Sequence, residues 1–203
     1  MSTGCILFSG GLDSSLALIK LLEQGHTVYP IWMKYNQWQE IQEGRHVREV
    51  LKYMPAAKPL IELDVKFTEK VGHSSSRFIA FMGLAGMIGD IMNLGFEFIA
   101  TGYLGLPDYP ESRDPVQQGM TDILGELGLG HKNILYGMTK EDVGKELSKY
   151  DIPWEVFFTC YWNPPCSWKS DSDKYLCGGC RNKVKAMEAA GITNFSRRPN
   201  ISY

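Results

Sequence analysis

Two groups of residues have the types and spacing that do chemistry. The first is Ser9-Gly10-Gly11-Leu12-Asp13-Ser14-Ser15, which follows the apolar run Cys5-Ile6-Leu7-Phe8. Glycine accepts positive φ and lets backbone N–H groups approach an anion closely. Serine hydroxyls add donors, and a helix beginning at Asp13 would turn its positive end toward the same ligand. Asp13 suits a helix cap or a Mg²⁺ ligand beside phosphates. A plain Gly-Gly turn with an Asp/Ser cap is the ordinary alternative, and the full heptapeptide between strand and helix outweighs it. The loop has no lysine, so it is not the Gly-x-x-x-x-Gly-Lys-Ser/Thr loop of γ-phosphate transfer, and it lacks Gly-x-Gly-x-x-Gly. The second group is Cys160, Cys166, Cys177 and Cys180. The Cys177-Gly-Gly-Cys180 knuckle brings two sulfurs onto one ion, and the other pair completes a tetrahedral Cys₄ site. Four thiolates with no open position mean structural Zn²⁺. A redox Cys-x-x-Cys or buried free thiols are the competing readings; a redox motif needs no further cysteines. Cys5 reads as a small core residue.

These residues need a scaffold, and the chain alternates strand and helix patterns. Short apolar runs at 5–8, 27–33, 60–64 and 96–100 predict four strands. Pro30, within the second, suits an edge or a bulge. Helical spacing follows at 13–25, 39–54, 75–94 (a buried helix), 115–127 and 140–150. After Pro153 aromatics, prolines and cysteines replace periodicity. The expected fold class is α/β, a Rossmann-like parallel sheet with a C-terminal zinc knuckle. Two domains are expected: 1–153 for nucleotide, 154–203 for metal. Ligands of such sheets bind at the carboxyl ends of strands, here the loops at 9–15 and 101–114.

Composition sets limits. The chain has 203 residues, 44% hydrophobic and 22% charged, with net charge −2. That is an ordinary globular balance, with no basic footprint for direct binding of nucleic acid. The apolar stretch 78–94 falls short of the ~20 residues of a membrane span. The N-terminus lacks a basic n-region, so no export signal and a reducing cytoplasmic setting are expected, or the host cytoplasm for a viral protein. His26, His46, His73 and His131 are scattered without metal-ligand spacing, and the aromatics from Trp154 to Trp168 read as packing.

The heptapeptide resembles the Ser-Gly-Gly-x-Asp-Ser signature of the pyrophosphate-loop ATPases, whose adenine-nucleotide α-hydrolase-like fold implies ATP cleavage between α- and β-phosphates. With the C-terminal cysteines, the chain is similar to the 7-cyano-7-deazaguanine synthase (QueC) family. Thr101-Gly102 with Asp108-Tyr109-Pro110-Glu111-Ser112-Arg113-Asp114 is similar to the family's Thr-Gly and Tyr-Pro-Asp-Cys-Arg-Asp segments. Ser76-Arg77 is similar to its Gly-Arg-Asn, and Thr159-Cys160-Tyr161 to its Thr-Cys-Tyr. There are departures. Asn36 replaces the glycine of Tyr-Gly-Gln, Gln39 a histidine, Phe78 the asparagine, and Cys166 must substitute for a third closely spaced cysteine. They fit a divergent paralog, a viral one included.

The resemblance implies conversion of 7-carboxy-7-deazaguanine and ammonia to the nitrile with ATP and Mg²⁺, plus a structural Zn²⁺. It implies Ser9, Asp13 and Arg77 as catalytic residues, although Arg77 is equally an ordinary surface arginine. ATP binding falls to Phe8, Ser9, Gly10, Gly11, Leu12, Asp13, Ser14 and Ser15. Substrate binding falls to Tyr35, Gln37, Thr101, Gly102, Asp108, Tyr109, Arg113 and Asp114. A solvated turn is the competing account of 108–114. Partners are the deazaguanine and ammonia, without nucleic acid or membrane, and with a homodimer as the implied assembly. An adenylating enzyme that stops at the amide or uses another acceptor is one alternative; a thiolation enzyme or a non-catalytic nucleotide-binding zinc module are others.

Overall fold

The computed structural model describes residues 1–65, 77–105, 113–160 and 176–192, with Arg77 described by its backbone only. Its strands are β1 (Thr3–Leu7), β2 (Thr27–Lys34), β3 (Ile61–Asp64), β4 (Phe98–Thr101) and β5 (Gly130–Asn133). Its helices are α1 (Leu12–Glu23), α2 (Glu40–Leu51), α3 (Arg77–Ile91), α4 (Asp114–Glu126), α5 (Lys140–Leu147) and α6 (Gly178–Ala189). All strands are parallel, in the order β3-β2-β1-β4-β5.

The period of two along the strands sorts the core into two layers. Ile6, Phe8, Val28, Trp32, Phe98 and Ala100 face α1, α2, α5 and α6. Cys5, Ile31, Met33 and Ile99 face α3 and α4 through Phe78, Met82, Met120 and Leu124. Cys5 is fully buried, which pushes its thiol up to about 12 and leaves it an inert packing group.

Three expectations need correction. The sheet has a fifth strand, β5, whose Gly-His-Lys-Asn sequence carries no strand pattern; pairing from Phe98–Gly130 to Thr101–Asn133 creates it. Pro30 lies in an inner strand, opposite Ile6. Val28 O accepts from Lys58 N on the β3 side and Ile31 O from Phe8 N on the β1 side. Alternation therefore turns Pro30 toward β3, whose ladder begins only at Ile31–Ile61, so the missing N–H costs no ladder bond. Helix α3 is buried on one face only. Phe78, Met82 and Ala85 are covered, whereas Ile79, Met87 and Ile91 are exposed.

Helix α6 docks on α5 by backbone approach. A Cβ on Gly144 would lie 2.0 Å from the carbonyl oxygen of Ala186, so neither element could keep its place. Gly144→Ala is expected to destabilise the protein by about 3 kcal/mol, read from the denaturant midpoint, because the obstacle is backbone and not a movable side chain. An unchanged midpoint would refute this packing.

Candidate functional site

Strand β1 hands the chain to α1 through a turn that only glycine takes easily. Gly10 has φ +67°, and a Cβ there would lie 2.9 Å from Val47 N. Gly11, in contrast, is extended at φ −81° and is the N-cap of α1. Positive φ thus belongs to Gly10 alone. Asp13 does not cap the helix; it lies in its first turn. Ser14 Oγ bridges the loop, 3.3 Å from Ser9 Oγ and from Gly11 O, which accepts its proton. Phe8 and Leu12 turn their side chains into the core, and Ser15 is fully buried.

Four elements wall the loop. His46 and Val47 of α2 press on Gly10. The N–H of Phe158 donates to Gly10 O at 3.0 Å. Gly102, just past β4, stands so close that a Cβ would lie 2.8 Å from Asp13 O. The ammonium of Lys140, at the start of α5, pairs with Asp13 Oδ2. Asp13 Oδ1 is buried and meets no hydrogen-bond partner among the described residues. The loop has no lysine of its own, but the fold supplies one from 127 residues downstream. Sequence reading missed Lys140. Its only local signal is a cation at a helix N-terminus, which the helix dipole disfavours. A Thr139–Asp142 capping box fixes that terminus.

The residues assigned to substrate are distributed as follows. Thr101 is buried at the carboxyl end of β4, beside the loop. Tyr35 is buried, with its ring 5.2 Å from that of Phe81. Gln37 is buried and works internally: Oε1 accepts from Tyr35 N at 2.8 Å, while Nε2 donates to Met33 O and Glu43 Oε1, both at 3.3 Å. Asn36 has φ +60°, a conformation open to glycine and tolerated by asparagine better than by most residues. Phe78 is buried with its ring 4.4 Å from Tyr103. Arg113 is the N-cap of α4 and Asp114 its first residue. Asp108, Tyr109 and Cys166 lie outside the described residues, as does the side chain of Arg77.

Cys160, Cys177 and Cys180 are buried with their sulfurs all within 4.8 Å of one another. Cys177 is the N-cap of α6 and accepts from Cys180 N at 3.5 Å. Hydrogen bonding with Cys160 and Cys177, then burial, pushes the Cys180 thiol far up when no cation is present. Three buried sulfurs so close together cannot all ionise alone, and a bound dication reverses that balance. The donor set therefore fits a thiophilic metal such as Zn²⁺. Nearby, Lys183 Nζ donates to Phe157 O at 2.9 Å, and burial brings its ammonium down to about 8.

Residues 3–78 match the family described as "Queuosine biosynthesis protein QueC". The 7-cyano-7-deazaguanine synthase of Nautilia profundicola is 24% identical over 225 residues, spanning 95% of this chain and 96% of its own. The chain is thus similar to the QueC family, through its first 78 residues by the family model and along its length by distant relatives. Its fold resembles that of NMN synthetase from Francisella tularensis, with TM-score 0.58, 13% identity, and coverage of 97% of this chain and 79% of the other. It also resembles a 4-thiouridine synthetase solved as an RNA complex with bound ATP, with TM-score 0.54, 15% identity, and coverage of 94% and 52%. The fold is therefore adenine-nucleotide α-hydrolase-like, an α/β fold with five parallel strands and a C-terminal three-cysteine cluster among the described residues. Among the described residues no helix is long and apolar enough to cross a membrane.

Two histidines give the fold a pH dependence. Burial lowers His46 and His131 from their ordinary value of 6.5. His46 donates from Nδ1 to Val156 O at 2.8 Å, since a carbonyl can only accept. His131 is held between Thr101 and Thr121. Because the folded pKa is depressed, below about pH 6.5 the unfolded chain takes up protons that the folded chain refuses. Stability is therefore full above that pH and declines as pH falls. The melting temperature of chelator-treated protein is expected to be lower at pH 5.5 than at 7.5; a flat or reversed trend would contradict the burial of both rings.

Proposed function

We propose that this chain is an ATP-dependent ligase that converts 7-carboxy-7-deazaguanine and ammonia into 7-cyano-7-deazaguanine. The observation that carries the reading is the loop at the mouth of β1. There Gly10 takes positive φ, α1 begins, and Asp13 meets Lys140. N–H groups, a helix N-terminus and one ammonium together suit a diphosphate, and Asp13 suits Mg²⁺ beside it.

The chemistry needs such a leaving-group site. A carboxylate is a poor electrophile because its leaving group would be oxide. Transfer of AMP to the carboxylate oxygen, with pyrophosphate leaving, makes that oxygen part of a good leaving group. Ammonia then displaces AMP and gives the amide. A second adenylation, on the amide oxygen with pyrophosphate leaving, allows loss of AMP and of both protons from nitrogen, which leaves the nitrile. These steps need oriented dipoles more than a nucleophilic side chain. In this reading the phosphate loop runs from Phe8 to Ser15: Ser9, Gly10, Gly11 and Ser14 meet the phosphates, and Phe8, Leu12 and Ser15, whose side chains are buried, shape the loop behind them. Tyr35, Thr101, Gly102, Arg113 and Asp114 face the acid, with Gln37 shaping the turn behind Tyr35. Arg77, Asp108 and Tyr109 are proposed to join them. Residues 1–153 bind nucleotide, and 154–203 carry a structural Zn²⁺ on Cys160, Cys166, Cys177 and Cys180. A cytoplasmic homodimer is the assembly this reading carries.

The test is pyrophosphate release and product mass with 7-carboxy-7-deazaguanine, ammonia and Mg·ATP. Two pyrophosphates per nitrile are expected. One pyrophosphate with accumulated amide would place the enzyme among amide-forming paralogs, and no release with this acid would overturn the reading.

A further inference from the structure

We propose that His46 is a positioning residue which couples the cysteine centre to the pyrophosphate-type loop through the backbone of residues 156–160. Three consecutive residues of this strap are each held by a different element. Val156 O accepts from His46 Nδ1 of α2 at 2.8 Å. Phe157 O accepts from Lys183 Nζ of α6 at 2.9 Å. The N–H of Phe158 donates to Gly10 O at 3.0 Å. Cys160, one of the three clustered sulfurs, follows two residues later.

Packing makes these bonds a unit. The imidazole of His46 lies 5.3 Å from the ring of Phe158. Its own carbonyl carbon would be 3.2 Å from a Cβ on Gly10, and Phe158 O would be 3.1 Å from one on Gly11. The loop is therefore clamped between α2 and the strap with no room for an added methyl group. His46 touches both jaws, through its backbone on the loop side and through its ring on the strap side. A metal that fixes Cys160 shortens the free length of the strap to the residue between Phe158 and the sulfur ligand. Order at the cysteines then becomes order at Gly10 and Gly11. By linkage the effect is reciprocal: what stabilises the loop also holds the metal.

The purpose of holding the loop rests on the nucleotide reading above, but the coupling does not, and the experiment separates them. Amide hydrogen exchange of the peptide covering residues 8–16 is measured on full-length protein loaded with Zn²⁺ and on protein stripped with 1,10-phenanthroline. Stripping is expected to raise exchange in that peptide about threefold or more, as a local opening would. His46→Leu is expected to do the same with Zn²⁺ still bound. His46→Asn, whose amide nitrogen can take the place of Nδ1, is expected to stay near the wild type. A purely structural histidine would not give this pattern, since both replacements would loosen the whole core. Loop exchange unaffected by stripping overturns the proposal, as does His46→Leu with wild-type exchange. Where His46→Leu cannot be obtained folded, the stripped wild type decides. ATP binding is read on the same samples, and its absence in the wild type sinks the nucleotide reading while leaving the exchange result to stand.

Discussion

Lys140→Met is expected to lower ATP-dependent pyrophosphate release by about 10²- to 10³-fold, the cost of deleting one preorganised donor to developing charge. The same change is expected to move the melting temperature little. The side chains of Lys140 and Asp13 are 15% and 30% exposed, so their ion pair is partly wetted. Such pairs contribute roughly 0–1 kcal/mol to stability. The disproportion between the two effects is the point. A pair that served only the fold would move stability and activity together. A lysine delivered across the fold to a loop that lacks one moves activity alone. Lys140→Arg is expected to rescue poorly, because a planar guanidinium fork does not place its charge where the compact ammonium of lysine sits against Asp13. Release within about threefold of wild type in Lys140→Met, at unchanged melting temperature, would remove the lysine from the phosphate site.

What the sequence disclosed about this site was local. The run Cys5–Phe8, the two glycines and Asp13 are adjacent, so strand, turn and helix could be placed from neighbours alone. The knuckle at Cys177 and Cys180 was legible for the same reason, one turn of helix bringing both sulfurs together. The rest depends on tertiary approach. Lys140 reaches Asp13 only because β5 and α5 return the chain to the end of β1, and β5 has no strand-forming residues to announce it. The phase of Pro30 is set by where β3 begins to pair, a matter of register. His46 looked like one of several scattered histidines. Its contacts are with Val156 and Phe158, and no spacing rule links positions 110 residues apart. The departure at Asn36 reads in the sequence as a lost glycine, and only the backbone shows that asparagine there takes the positive φ, +60°, that glycine takes most easily.

Cys177→Ser is expected to abolish metal binding and to lower the melting temperature by roughly 10 °C, equivalent to about 3–5 kcal/mol for a chain of this size. The substitution is informative because serine is itself a preferred N-cap. It would keep the bond that Cys180 N now makes to Cys177 Sγ at 3.5 Å, so the cap of α6 survives and the loss reports on the metal. A serine hydroxyl is a hard, weakly acidic donor and a poor replacement for thiolate on Zn²⁺. The stake is large. Structural Zn²⁺ is worth ~10–16 kcal/mol in isolated zinc-finger peptides. Here α6 also rests on α5 through the Gly144–Ala186 contact, which retains part of the docking after metal loss. The measurement is metal content by elemental analysis together with melting with and without chelator. Wild-type protein is expected to carry about one Zn²⁺ per chain and to melt earlier when stripped, whereas Cys177→Ser is expected to carry almost none and to ignore the chelator. Cys166→Ser, tested alongside, identifies the fourth thiolate if it loses metal as Cys177→Ser does. Full metal content in Cys177→Ser would mean that the three sulfurs, for all their proximity, are not a metal site.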